Sequence, residues 1–388
     1  MATKKIKNIK KRFEPLDYLR GFVIGFIVIT EQIGSSYSWP FLNHAKWDGF
    51  TFTDWLFPCL IVCMGFAMVF SLKKSEKIDT AFVKKVLIRG FLLIGIGLAL
   101  NFFDGLFSRL YDGMGAAAFM DALNNLRFYG ILQRIGFVYI VGAFIIMIAK
   151  KNPKTILVIG TSILVLYLFI LGFGHGYEYS TKNIIYIVDN AIFPQNHLYV
   201  KTINEVTLTF DPEGLVSMIP TIGQLLLAYG IGKLYIDHNK KDPKKALLIL
   251  FIVSIALIVV GLALSTFAPL LKKVWSSSFV LVTTGIAFTV ISLIAFITLK
   301  KPHEKIFLPL KVLGVSALGI FVMSNVLNYI VKYIPFADEF IKYYINDALC
   351  IICFGNIYLA SFLCALLLLL FIWFIAWLLY RNNIIIKL

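Results

Sequence analysis

The sequence predicts an all-α polytopic integral membrane protein with about ten membrane-spanning helices (10–11), and three observations carry that expectation. Of its 388 residues, 59% are hydrophobic and only 15% charged, where a soluble domain carries about a quarter charged. Apolar runs of about 20 residues recur along the whole chain, and such a run crosses a hydrocarbon core of ~30 Å at ~1.5 Å per residue. The connectors between runs alternate between lysine-dense and lysine-poor. Backbone groups in lipid find no outside partner, so the runs are expected as helices, assembled as one domain over residues 1–388.

The first run, about 18–38, has its strongest apolar core from Phe22 to Thr30. That core is as short as a signal peptide's, but no small-residue cleavage pattern follows, so it reads as a membrane helix. Further runs fall at about 54–72, 86–103, 128–149, 154–173, 214–236, 246–270, 276–299 and 308–333. The last, 349–380, is one long element or else a short helix near 345–355 followed by a full span near 358–380. Lysine crowds the basic N-terminal segment 1–12 and the connectors 73–85, 150–154, 237–245 and 300–305, whereas 174–212 and 334–348 hold few. Lys and Arg favour cytoplasmic connectors, so the N-terminus is expected inside, with Phe41–Pro58 and the loop 174–212 on the extracytoplasmic side.

The formal net charge of +16 follows from these topological lysines, and no basic-aromatic module for nucleic acid is present. A lysine-rich cytoplasmic rim attracts anionic membrane lipids or a polyanionic cosubstrate. Cys350 and Cys353 have a CxxC spacing, yet their flanks are apolar and no second pair or histidine completes a zinc site. No metal is expected.

Ionisable residues at membrane depth are costly and mark functional candidates. Glu31 lies near the outer end of the first run, Asp54 opens the second, and Arg134 sits in the outer half of the fourth. His44, in "FLNHAKWDGFTFTDWLFP", emerges at the same face. Arg134 paired with Asp54 or Glu31 reads equally as a structural ion pair or a catalytic one. His44 titrates near neutrality, so it suits proton transfer in acyl transfer, and a neighbouring carboxylate fixes its tautomer. Trp47 and Trp39 suit the apolar face of a sugar ring, or an interfacial aromatic belt. Asp17, Arg20 and Arg89 mark cytoplasmic ends, where arginine also serves as a snorkelling anchor.

"FEPLDYLRG" followed by an apolar run and "NHAKWDGFTFTDWLFPCLIVCMG" resembles the opening of the heparan-alpha-glucosaminide N-acetyltransferase family and its bacterial relatives. The resemblance continues in "GILQRIGFVY", in "YIVDNAIFPQNHLY" leading to "FDPEGLVSMIPTI", in "PLLKKVWSSSFVL", and more weakly in "LGVSALGIFVMSN". It implies a ten- or eleven-helix enzyme, a homodimer, taking acetyl from cytoplasmic acetyl-CoA to an amino sugar across the membrane. For this chain the implied setting is a bacterial inner membrane. The family's active-site histidine corresponds to His44 and its following acidic residue to Asp54. Its "LQRI" arginine corresponds to Arg134 and its "DPEG" carboxylates to Asp211 and Glu213. Glu31 takes the place of a polar amide that assists the histidine in the heparan enzyme. On this reading Glu31 orients His44, Trp47 and His197 join the sugar-facing residues, and Arg20, Arg89 and Lys233 meet the CoA phosphates. His197 also reads as a residue of loop packing, and the sequence leaves open whether 174–212 covers the sugar site.

Two other functions fit the same residues. A sugar transporter would also hold charge within ten helices, although no inverted repeat is visible. An O-acetyltransferase of envelope polysaccharide would use the same histidine. His44 can act as a general base for direct transfer, which is the favoured expectation, or as a nucleophile through an acetyl-imidazole.

Overall fold

The structure is a computed structural model describing residues 13–32, 38–73, 75, 77–203, 205–299 and 304–384. The basic segment 1–12 lies outside these residues. Fifteen α-helices follow in order: α1 (Glu14–Gln32), α2 (Phe52–Ser71), α3 (Thr80–Tyr111), α4 (Ala117–Asn124), α5 (Ile131–Ile148), α6 (Pro153–Phe173), α7 (Ile184–Ile192), α8 (Leu215–Asn239), α9 (Pro243–Leu264), α10 (Ser277–Thr298), α11 (Glu304–Val315), α12 (Ala317–Tyr333), α13 (Pro335–Glu339), α14 (Asn346–Ile352) and α15 (Ile357–Arg381). Between α7 and α8 lies an antiparallel hairpin, β1 (Val200–Ile203) with β2 (Val206–Thr209), pairing Val200 with Thr209.

Among the described residues eight helices are long and apolar enough to cross a membrane: α2, α3, α5, α6, α8, α9, α10 and α15. A ninth forms if α11 and α12, bent by 73° at their junction, count as one span. The architecture is that of an all-α polytopic membrane protein. One expectation is revised and three gain detail. Within the described residues the first run is helical over Glu14–Gln32, and its expected residues 33–37 fall outside them. The expected straight span 308–333 is broken. Of the two forms read for the final run, the structure has the second: α14 and α15 are separate, with Asn356 capping α15 through the Leu359 N–H. The loop 174–212 carries its own helix and hairpin, since its Asn183 cap and alternating β1–β2 residues supply local order.

Caps set several helix starts. Asp79 accepts from Phe82 N at α3, while Asn152 before Pro153 and Asp242 before Pro243 open α6 and α9. α2 and α8 are buried on nearly all sides and form the centre, while α3, α6, α9 and α15 turn large apolar faces outward. Phe91, Phe169, Phe173 and Ile252 are exposed there, as suits a lipid-facing surface.

The glycine of "LRG" has a packing reason. A Cβ on Gly21 would lie 1.8 Å from the Leu310 carbonyl oxygen, and one on Gly314 would lie 1.8 Å from the Asp17 carbonyl oxygen. α1 and α11 therefore meet backbone to backbone, the small-residue contact that membrane helices use. Gly314→Ala should force these helices apart at a cost of about 3 kcal/mol, the upper range of overpacking. Thermal unfolding of the purified variant checks this; an unchanged midpoint would contradict the close crossing.

Candidate active site

α2 begins at a capping box that also builds the site. Asp54 N donates to Thr51 Oγ1 at 3.4 Å, and Thr51 N donates back to Asp54 Oδ2 at 3.1 Å. The same Oδ2 accepts from Thr51 Oγ1 at 2.9 Å and from Ala45 N at 3.1 Å. Oδ1 is left for His44, whose Nδ1 lies 2.8 Å away. Asp54 is fully buried, whereas the His44 side chain is 54% exposed. The carboxylate is thus fixed by three donors and holds the imidazole at the cavity edge. With Nδ1–H given to Asp54, Nε2 carries the ring's lone pair.

That edge bounds a cavity of about 540 Å³. Glu31, Trp47 and Glu213 line it with His44 and Asp54, as do Arg127, Lys201, Lys272, Lys273 and Trp275. The 174–212 loop supplies much of the wall through Tyr179, Tyr199, the β1 residues Lys201 to Ile203, and Phe210. It is anchored where Trp47 Nε1 donates to the Tyr177 carbonyl at 2.9 Å and Tyr179 OH to the Lys201 carbonyl at 2.5 Å. Trp47 packs at 5.0 Å from the Tyr179 ring and edge-on to Phe210, so only part of its indole faces the cavity.

Lys272, which sequence reading passed over, reaches the centre of the site. Its Nζ stands 2.9 Å from His44 Nδ1, 3.2 Å from His44 Nε2 and 3.6 Å from Asp54 Oδ1. The segment carrying it is tightly pinned. Tyr167 OH donates to the Val274 carbonyl at 2.6 Å, and Ser276 Oγ to the Pro269 carbonyl at 2.7 Å. Trp275 adopts φ 54°, a left-handed conformation costly for a bulky residue, and is fully buried against Phe57 and Phe279. Its Nε1 donates to Gln224 Oε1 at 3.1 Å. Sequence spacing offers no clue to Lys272, because 228 residues separate it from His44.

Arg127 was also missed. It donates to Asp211 through Nε at 2.8 Å and Nη2 at 2.6 Å, and to Glu213 at 2.6 Å. These carboxylates hold its guanidinium protonated against the opposing effect of burial. Glu213 is partly buried, which favours its neutral form, yet Arg127, Arg134 and Lys272 keep its carboxyl below the ordinary range. Burial, reinforced by Lys201, pulls Lys273 down to about 8. Burial likewise lowers Lys272, opposed by Asp54 and Glu213. His44 is lowered by burial, raised by its bond to Asp54, and lowered again by Lys272.

Several expected placements are corrected. Arg134 pairs with neither Asp54 nor Glu31. It is fully buried, donates to the Pro212 carbonyl at 2.5 Å and to Ser217 Oγ, and stacks 4.6 Å over Trp275. It faces α8 from behind the cavity wall. Glu31 lines the cavity, but its bond is from Ser324 Oγ of α12 at 3.3 Å, and Asp54 is the carboxylate that orients His44. Asp211 is buried under Arg127 and accepts from Tyr199 N, which makes it a staple of the loop. His197 stacks on Phe128 at 4.2 Å and its Nδ1 meets the Leu126 carbonyl at 2.7 Å, away from the cavity lining.

The three basic residues expected at CoA are not brought together. Arg20 donates to Asp17 at 3.4 Å and the Gly314 carbonyl at 3.3 Å, and Arg89 lies over the Tyr139 ring. Lys233 pairs with Asp237 at 2.6 Å in a second cavity of about 630 Å³ that also holds Lys73, Lys150, Lys151 and Lys240. This lysine basin sits at the far ends of α2, α5 and α8, whose near ends build the His44 site.

No family model matches the chain. It is 26% identical over 340 residues to heparan-alpha-glucosaminide N-acetyltransferase of Mus musculus, covering 74% of this chain and 49% of that protein. It is 25% identical over 344 residues to the Homo sapiens enzyme of that name, covering 75% and 49%. The chain spans about half the length of these curated relatives, and the relationship is a distant one.

Proposed function

We propose that this chain is a transmembrane N-acetyltransferase that moves acetyl from cytoplasmic acetyl-CoA to the amine of glucosamine or a terminal glucosaminide on the extracytoplasmic side. The observation that carries the reading is His44, fixed through Nδ1 by buried Asp54 and presenting Nε2 to a cavity walled by aromatic and polar side chains. The distant relationship to N-acetyltransferases supports the reaction class.

The amine nitrogen attacks the thioester carbonyl carbon, the C–N bond forms, and the carbonyl electron pair moves onto oxygen. His44 Nε2 takes the amine proton. As the oxyanion collapses, the C–S bond breaks and the proton passes from His44 to the departing thiolate, giving free CoA thiol and the amide. Asp54 stabilises the transient imidazolium. Glu31, without a cation among the hydrogen-bond partners described for it, offers a carboxylate to the acceptor's polar groups.

The test uses purified protein in nanodiscs with acetyl-CoA. Free thiol and N-acetylglucosamine should appear together when glucosamine is added. N-acetylglucosamine as acceptor should release no thiol; equal release with it would favour transfer to hydroxyls. A transporter would share the α11–α12 break. Labelled glucosamine equilibrating across vesicles with no thiol release would overturn the enzyme reading.

A further inference from the structure

We propose that Lys272 is the standing counter-charge to Asp54, so that His44 remains the neutral, proton-accepting member of the three. The geometry requires a choice about protons. An imidazolium has N–H donors at both ring nitrogens, and an ammonium has only donors. Lys272 Nζ lies 2.9 Å and 3.2 Å from the two His44 nitrogens, so close that full positive charge on both groups is strongly disfavoured. One proton is therefore absent from the pair. Lysine is ordinarily far more basic than histidine, at about 10.4 against about 6.5, so the ammonium keeps it.

The charge balance points the same way. Asp54 is buried and needs a cation nearby, or it would draw a proton onto His44 and make the pair an inert imidazolium–carboxylate. Lys272, 3.6 Å from Oδ1, supplies that cation. The charged groups that act on His44 come from three elements: Asp54 from α2, Lys272 from the α9–α10 connection, and Glu213 from the segment before α8. The remaining charges on the cavity wall are Glu31, Lys46, Arg127, Lys201 and Lys273. Among these groups Lys272 alone is within hydrogen-bonding distance of the ring besides Asp54. Lys272 acts through His44 and is a positioning residue. When an acceptor amine enters, the ammonium gives up its place at Nε2 while keeping its attraction to Asp54. This consequence for catalysis rests on the acetyl-transfer reading; the proton arrangement does not.

The decisive measurement is the pH dependence of His44 carbethoxylation by diethyl pyrocarbonate, resolved by peptide mass spectrometry, because the reagent attacks neutral imidazole. In Lys272→Met the midpoint should rise by about one unit or more, the size expected when one nearby charge is removed. Lys272→Arg should keep the native midpoint, and Lys272→Gln should repeat the methionine result if Lys272→Met does not fold. The acid limb of kcat/KM should move with the modification midpoint. A midpoint unchanged in Lys272→Met and Lys272→Gln would overturn the proposal even if the protein transfers acetyl normally. A shifted midpoint in a protein that shows no acetyl transfer would uphold it and sink the enzymatic reading.

Discussion

Replacing His44 with alanine is expected to lower kcat/KM for acetyl transfer by roughly 10³-fold, within the range of a lost general base. The fold should survive, because the His44 ring is half exposed and among the described residues bonds only Asp54 and Lys272. Asp54 keeps its bonds from Thr51 and Ala45 in the variant, so the start of α2 stays capped. Lys272 also keeps its carboxylate partner. The loss should therefore appear in kcat, with KM for acetyl-CoA little changed, since the rest of the cavity wall is untouched. Steady-state kinetics on a variant with native thermal stability provides the check. Full turnover without His44 would remove it from the reaction. Incubation of the native protein with labelled acetyl-CoA and no acceptor separates the two routes: a label retained on His44 would replace direct transfer by an acetyl-imidazole.

Most of the helical spans could be read from the chain, because hydropathy acts along one dimension. Thr51-x-x-Asp54 is a local cap signal, and Asp54 follows His44 closely enough that one short segment builds their contact. Direction around a helix axis was not readable. Arg134 was read as a partner of Asp54 or Glu31, yet packing turns it to α8, and Glu31, although it lines the cavity with Asp54, bonds Ser324 of α12. Azimuth depends on which helices are neighbours, and that is a property of the whole assembly. Lys272 was invisible for the same reason, in a lysine pair that resembles any other surface connector. The break between α11 and α12 was hidden because hydropathy continues across it.

Asp54→Asn should be nearly as damaging as loss of His44, about 10²–10⁴-fold in kcat/KM, while leaving the fold almost unchanged. Asp54 accepts from Thr51 N, Thr51 Oγ1 and Ala45 N on one oxygen and faces His44 Nδ1 with the other. Asparagine has one acceptor oxygen and one NH₂. Turning the oxygen toward the cap retains the bonds there and puts the NH₂ against Nδ1. Turning it toward His44 sets the NH₂ against two backbone N–H groups, which costs about 1–3 kcal/mol for each one left unpaired. The first arrangement wins. His44 must then accept at Nδ1 and carry its proton on Nε2, the nitrogen that should receive the amine proton. The tautomer is wrong although every atom is near its native place, the same logic by which an amide disables a carboxylate-oriented histidine in acyl transfer. Lys272 simultaneously loses its counter-charge. Asp54→Ala differs: the Thr51 side chain still caps α2, but the Thr51 and Ala45 N–H groups lose their acceptor, at about 1–3 kcal/mol for each left unpaired. A thermal midpoint for Asp54→Asn close to native, beside a large fall in kcat, would match this account. An Asp54→Asn variant retaining half the native turnover would show that tautomer control by Asp54 plays no part in the chemistry.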